Sequence, residues 1–251
     1  STLMRSSAAS DVYKRQLYLL ERTGVDVVAV LHFDVALSQL SARDFMHDLL
    51  LERLHVAKLF IGYDHRFGHN RAEGFADYVA YGREMGMEVV QNPVFELEGV
   101  NVSSTVCRRH VAAGEMEAAS RCLGYPYRMD GRVVAGFQEG RKLGFPTANI
   151  QLADPRRLVP ASGVYAVRVK IGDEATWRLG MMNIGTRPTF GGDKVSLEVH
   201  IFDFAGDLYG CQVEVAFLRR VREERKFASP EELAAQLAQD KQTILDACYL
   251  S

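Results

Sequence analysis

What the chain lacks narrows its class first. Its 251 residues include four cysteines, Cys107, Cys122, Cys211 and Cys248, with no Cys-x-x-Cys pair among them. Thiols scattered in this way point to reduced, packed side chains rather than a disulfide framework or a zinc site. Neither sign of charge is in excess, since 30 Lys and Arg face 32 Asp and Glu for a formal net charge of −2. With no long basic run either, the composition argues against a general nucleic-acid binder. No apolar stretch approaches membrane-spanning length and no secretory signal is recognisable, so a cytoplasmic protein with no membrane partner is expected. What is present is a 47% apolar content, enough for ordinary cores in one or two domains.

Residues 1–16 are polar and aperiodic and run abruptly into Leu17-Tyr18-Leu19-Leu20. They look like translated adapter sequence and are set aside as a non-native leader, with the protein entering in mid-helix. From there strand and helix patterns alternate. Val25 to Phe33 is a nearly continuous apolar run, as in a strand buried on both faces. Ser41 and Asp44 open a helix in capping-box style, with Phe45, Leu49 and Leu50 as its buried stripe. Val56 to Gly62 reads as a second strand, a helix spans about Ala72 to Met85 up to Gly86, and Met87 to Gln91 is a third strand. This order predicts a parallel, Rossmann-like sheet, whose ligands sit at the carboxyl ends of its strands.

After Gly124, Tyr125-Pro126 reads as a hinge, and the periodicity changes. Tyr165, Val167, Val169 and Ile171 share one strand face, while Arg168 and Lys170 share the other. Three further stretches alternate similarly: Thr176 to Ile184, Lys194 to Phe202 and Gln212 to Leu218. The pattern predicts an antiparallel sheet or small closed barrel. Ser229-Pro230-Glu231-Glu232 then caps a helix carrying Leu233, Leu237, Ile244 and Leu245 toward it.

Between hinge and barrel lies Gly136 to Ile150, with three glycines (Gly136, Gly140, Gly144), the Arg141-Lys142 pair and Pro146-Thr147-Ala148-Asn149. Glycines let backbone N–H groups approach phosphate oxygens, Thr and Asn offer the neutral oxygens Mg²⁺ accepts, and Pro fixes the chain before them. A glycine-rich turn with a solvated charge pair explains the same composition without a ligand. Two further loops carry comparable chemistry: Gly62-Tyr63-Asp64-His65-Arg66-Phe67-Gly68 and Ser103-Ser104-Thr105-Val106-Cys107-Arg108. The second offers three hydroxyls and an arginine at a helix N-terminus, which serves either an anion or a simple N-cap. His65 and His69 are loop histidines without a third ligand, read as solvated rather than metal-bound.

The run Gly-x₃-Gly-Arg-x-Leu-Gly-Phe-Pro-Thr-Ala-Asn resembles the motif of the riboflavin kinase module, the C-terminal half of bifunctional riboflavin kinase/FAD synthetases. The loops holding Gly62, Asp64, Arg66, Phe67, Gly68 and Ser103, Ser104, Thr105, Arg108 resemble that family's flavin- and ATP-binding elements for FMN adenylylation. Here His65 stands at a usually aromatic position and Cys107 replaces Ile. Further matches are Asn183-Ile184-Gly185-x-Arg187-Pro188-Thr189-Phe190, Asp203-Phe204-x₃-Leu208-Tyr209-Gly210 and Arg222-Glu223-Glu224-Arg225-Lys226-Phe227.

The resemblance implies a partial Rossmann-like adenylyltransferase domain (17–125), then a six-stranded, Greek-key β-barrel kinase domain with a C-terminal helix (126–251). It implies riboflavin, FMN, ATP and ADP as substrates and products, with Mg²⁺. Its nucleotide-binding residues are Gly140, Arg141, Gly144, Pro146, Thr147 and Asn149, with Thr147 and Asn149 toward the metal. Glu198, which by alternation alone is a solvent-facing strand residue, becomes the general base. The family's adenylyltransferase half also depends on an early His-x-Gly-His-type motif, and none of the seven histidines forms one. That activity is expected to be impaired, the first strand and motif having been lost with the N-terminus. A non-catalytic flavin- or nucleotide-binding module is the alternative, and an oligonucleotide-binding barrel is disfavoured by the missing basic, aromatic-studded face. The sequence assigns no oligomeric state.

Overall fold

A computed structural model describes residues 16–69, 71–136, 140, 143–189 and 192–249; of these, 187–189, 192–194 and 249 are described by backbone alone. By packing, the chain divides into two compact units, 1–101 and 102–251.

The first unit is built on one parallel strand pair. Strand β1 (Lys58–Ile61) runs beside β2 (Glu88–Gln91), with Lys58 opposite Glu88 and Ile61 opposite Gln91. Among the helical pieces that precede them are α1 (Val35–Ser38) and α2 (Ala42–Asp44). Helix α3 (Phe75–Met85) crosses over between the strands and ends on Gly86 at φ 71°, a left-handed C-cap that glycine adopts without Cβ strain. Ser41 caps α2 as expected: its Oγ accepts from Asp44 N at 3.1 Å and donates to the Asp44 carboxylate at 2.7 Å. The helix then continues as a π-helical stretch, Phe45–Leu51. That winding rotates the buried stripe, so Ala42 and Met46 are buried while Phe45, Leu49 and Leu50 are only half-buried. Ile61, Tyr78 and Met87 complete this small core. Strands β3 (Glu96–Leu97) and β4 (Val100–Asn101) form a short hairpin with Glu98 and Gly99 both at positive φ, the geometry of a type I′ turn.

The expected strand at Val25 to Phe33 does not form. Residues 25–33 have no ladder, and Val27 is 84% exposed. The physical reason is the missing partner: among the described residues, β1 and β2 pair only with each other, and an extended run without hydrogen-bonded neighbours is not a strand.

The second unit is a closed six-stranded barrel flanked by helices. Helices α4 (Ser104–Ala113) and α5 (Met116–Leu123) end on Gly114 and Gly124, both left-handed. The barrel strands are β5 (Arg128–Val134), β6 (Ala148–Leu152), β7 (Gly163–Ile171), β8 (Trp177–Thr189), β9 (Gly192–Ile201) and β10 (Gln212–Arg222). Their spatial order is β10-β5-β6-β9-β8-β7, every pairing antiparallel. Closure leaves the barrel without an open edge. The predicted inward set Tyr165, Val167, Val169 and Ile171 is buried, together with Met182, Val199, Val215 and Phe217. Val111, Met116 and Ala119 join the same cluster, so α4 and α5, which precede the 125/126 hinge in sequence, pack with the barrel.

Helix α6 (Pro230–Tyr249) covers the barrel's other side. Ser229 Oγ accepts from Glu232 N at 3.2 Å, starting the helix as the sequence predicts. Ile244 is fully buried against Val164, Ala166, Met181 and Phe202, with Leu237 and Leu245 beside it. Val164 and Ala166 point away from the barrel interior, which explains why β7 is buried on both faces. Asp240, 2% exposed, receives Arg222 on both oxygens at 2.9–3.1 Å and fastens α6 to the end of β10. A buried carboxylate requires such a partner, and bidentate arginine supplies two charge-assisted bonds.

Candidate active site

Strand β9 turns Leu197, Val199 and Ile201 into the barrel, which sends Glu198 and His200 to the outer face. Val195, expected with the apolar set, is exposed near the start of the strand. Register then decides what Glu198 meets. It lies opposite Asn149 of β6 on one side and Asn183 of β8 on the other. Residues directly opposite in antiparallel strands share a face with Cβ atoms about 4.5–5.5 Å apart, so the three form an amide–carboxylate–amide row.

The next row pairs Gly185 with Ser196. A Cβ on Gly185 would come 2.6 Å from Glu224 Oε1, 3.1 Å from Ser196 Oγ and 3.3 Å from Asn183 Nδ2. Glycine therefore admits a second carboxylate, Glu224 from the segment after β10, to the edge of the Glu198 row. The sequence names Asn183 and Glu224 only within longer runs that match the family, and it assigns neither of them a role at the site. Alternation along β8 was the available signal for Asn183, whereas Glu224 arrives by a tertiary approach that leaves no local pattern.

The glycine-rich stretch leads into this row. Gly140 C=O accepts from Leu143 N at 3.2 Å and Phe145 N at 2.9 Å, closing a turn in which Gly144 has φ 81°. Gly136 abuts the Asn149 side-chain amide so closely that any Cβ would overlap it. Arg141 and Lys142 lie outside the described residues. Pro146 C=O accepts from His200 Nδ1 at 2.8 Å, and the Phe145 ring stands edge-on to the imidazole at 5.3 Å. Thr147 and Pro146 line a cavity of about 380 Å³ with Val199, Phe204, Leu208 and Tyr209. The structure thus sets Asn149 opposite Glu198, Gly140 against Phe145 and Thr147, and Gly144 in the groove with Pro146 and His200.

His200 is only 8% exposed, and its burial pushes the imidazole below its ordinary pKa of 6.5, with the Pro146 bond acting the other way. Lys241 also disfavours the charged ring and Asp203 favours it. The ring is therefore neutral at pH 7. No group of three His, Cys, Asp or Glu among the described residues could hold a metal. The Thr147 hydroxyl and Asn149 amide, with the Glu198 carboxylate in the adjacent register position, are hard oxygens. They suit Mg²⁺, which keeps waters and takes most of its remaining ligands from phosphates.

The other two candidate loops fall in separate units. In the first unit, Phe67 stacks on Tyr78 at 4.3 Å, and the Tyr78 hydroxyl accepts from Phe67 N at 3.2 Å and lies 3.1 Å from Glu73 O. Gly68 has φ 94° and packs on the Ala42 backbone. This pins the loop's base, while Gly62, Asp64, His65 and Arg66 remain exposed. His69 Nδ1 lies 3.2 Å from Ser38 O, and neither loop histidine belongs to a metal cluster among the described residues. In the second unit, Ser103 is the N-cap of α4, accepting from Val106 N at 3.3 Å, and Arg108 donates to Ser104 Oγ at 3.1 Å. Ser103, Ser104, Thr105 and Arg108 are exposed at that helix end.

A closed antiparallel barrel with a C-terminal helix, following a parallel βαβ unit, is the fold class. A riboflavin kinase family model matches residues 123–248, and an FAD synthetase family model matches residues 10–106. The bifunctional riboflavin kinase/FMN adenylyltransferase of Escherichia coli K12 is 41% identical over 231 residues, 92% of this chain and 72% of that protein. Its counterpart in Pseudomonas fluorescens is 44% identical over 86% of this chain and 69% of its own length. A crystal structure described as a macrolide-efflux protein from Streptococcus pneumoniae superposes with TM-score 0.82 at 33% identity, covering 92% of this chain and 73% of that one. The chain belongs to the bifunctional riboflavin kinase/FMN adenylyltransferase family. Among the described residues, no helix is long and apolar enough to cross a membrane.

Proposed function

We propose that this chain transfers the γ-phosphoryl group of ATP to the 5′-hydroxyl of riboflavin, giving FMN and ADP. The observation that supports it most is the register that sets Asn149, two residues after Thr147, directly opposite Glu198. Phosphoryl transfer asks little covalent chemistry of a protein; it needs an in-line nucleophile and opposite charge or donors around the transferred group. Glu198 orients the hydroxyl and takes its proton as the oxygen attacks phosphorus. Thr147 and Asn149 would hold Mg²⁺ together with the phosphates, and the ion would supply positive charge to offset theirs. Gly140, Arg141, Gly144 and Pro146 shape the loop beneath the nucleotide, and the cavity beside Thr147 receives it.

Residues 126–251 form the kinase domain in this reading, and 17–125 belong to an adenylyltransferase domain acting in the cytoplasm. Gly62, Asp64, Arg66, Phe67 and Gly68 contribute to the flavin nucleotide site there, and Ser103, Ser104, Thr105 and Arg108 to the ATP phosphate site. Because no His-x-Gly-His motif occurs in the sequence, little FAD is expected from FMN and ATP. The test is incubation with riboflavin, ATP and Mg²⁺ followed by chromatography. FMN is the expected product; tight flavin binding without FMN would overturn the kinase in favour of a carrier. FAD formed as fast as FMN would overturn the impaired second activity.

A further inference from the structure

The residues assigned to phosphate and metal lie on one segment and the base lies on another, some fifty positions away. The ladder joining them is short: β6 pairs with β9 only through Ala148 with Val199 and Asn149 with Glu198. Beyond Ala148 the pairing stops, and Pro146 has no N–H with which to extend it. Backbone hydrogen bonds therefore do not fix where Pro146 and Thr147 lie relative to β9.

A side chain does so instead. His200, two residues beyond Glu198 on the same outer face, reaches the Pro146 carbonyl through Nδ1 at 2.8 Å. A carbonyl oxygen can only accept, so Nδ1 must carry the proton and Nε2 of the neutral ring is left as the acceptor. The ring is held in place by Phe145, edge-on at 5.3 Å, and Phe202, at 5.6 Å. It is buried in a groove toward α6, of about 540 Å³, whose other lining residues include Asp203, Lys241 and Gln242. Asp203 and Lys241 pair with each other at 3.3 Å.

We propose that His200 is a positioning residue for the phosphoryl transfer: its Nδ1–H holds the Pro146 carbonyl and thereby sets Thr147, which the ladder leaves unfixed, against Glu198. The proposal rests on the kinase reading above. It assigns His200 no contact with substrate and no proton transfer. Its effect is geometric, and a misplacement of about 1 Å can cost about 10²-fold in rate.

Near-isosteric variants separate this role from packing. Asn places its amide donor close to the position of Nδ1, whereas Gln carries its donor farther out, near that of Nε2. His200→Ala and His200→Gln are expected to lower kcat for FMN formation by about 10–100-fold, on the scale of such misplacement, with riboflavin affinity unchanged. His200→Asn is expected to recover most of kcat even if its melting temperature falls with the others. Equal loss in the Asn and Gln variants, or unchanged kcat in all three, would overturn the proposal. If the variants do not fold, ¹⁵N spectra of the unaltered protein decide: a proton on Nδ1 is expected, and the Nε2–H tautomer sinks the idea. Absence of FMN formation by the unaltered protein would remove the kinase reading instead, and the tautomer result would still report on the Pro146 contact.

Discussion

In the barrel, Val167 and Val169 are wholly buried; in the first unit, Val27 and Phe33 stand 84% and 78% exposed. All four are apolar residues in runs whose pattern reads as strand, yet only the barrel pair lies inside a core. The barrel's strands close on one another, so each has hydrogen-bonded neighbours on both sides and an interior to face. In the first unit the described residues supply a single parallel pair, so residues 25–33 have neither ladder nor cover. An apolar run carries a tendency to be buried, but whether it becomes a strand depends on a partner elsewhere in the chain.

The candidate sites divide in the same way. Glu198 sits in a row fixed from both sides by Asn149 and Asn183. The Gly62–Gly68 loop is fixed at its base by Tyr78, while Asp64 and Arg66 stay exposed. A reaction that tolerates little misplacement is better supported by the first arrangement.

Substitutions can break or sharpen this contrast. The largest effect is expected for Glu198→Gln, which should cut kcat for FMN formation by about 10²–10⁴-fold while ATP binding changes little. An unchanged kcat would remove Glu198 from the chemistry. Next comes Phe217→Ala, which empties the barrel core and should cost about 3–5 kcal/mol in a denaturant melt. A loss below about 1 kcal/mol would mean the barrel relaxes far more readily than its packing suggests. A smaller loss, about 1–3 kcal/mol, is expected for Tyr78→Phe, which leaves the Phe67 N–H without its hydroxyl partner. Hydrogen exchange of the loop should rise at the same time, and unaltered exchange would show that Tyr78 does not hold it. Smallest is Phe33→Ser, expected within about 0.5 kcal/mol because the ring is already in solvent. A large destabilisation there would show that the run is covered in solution, and the contrast between the two regions would fail.

Much of the site was legible in the residues themselves. The stretch from Gly140 to Asn149 announced itself by glycine, proline and neutral oxygens, and the alternation of β9 put Glu198 and His200 on one face. Other features were not legible. Glu224 reaches Gly185 across the fold, and Asn183 becomes a neighbour of Glu198 only through the β8–β9 register. The buried stripe of the helix after Ser41 moved because the chain winds as a π-helix from Phe45, a change no 3.6-residue pattern anticipates. His200 was visible as a strand residue, but its bond to Pro146 spans 54 positions and has no sequence trace.

By itself the sequence determined the local grammar: the Ser229 and Ser41 caps, the helix stops at Gly86 and Gly124, and the period-two strands of the barrel. These depend on backbone sterics and side-chain polarity within a few residues, so they can be read without a fold. Only the tertiary structure decided which strands met and in what register. It set Asn149 beside Glu198, tied Pro146 to His200, and left Val27 and Phe33 in solvent. Pairing is a relation between distant segments, and its free energy resides in contacts that no local window contains.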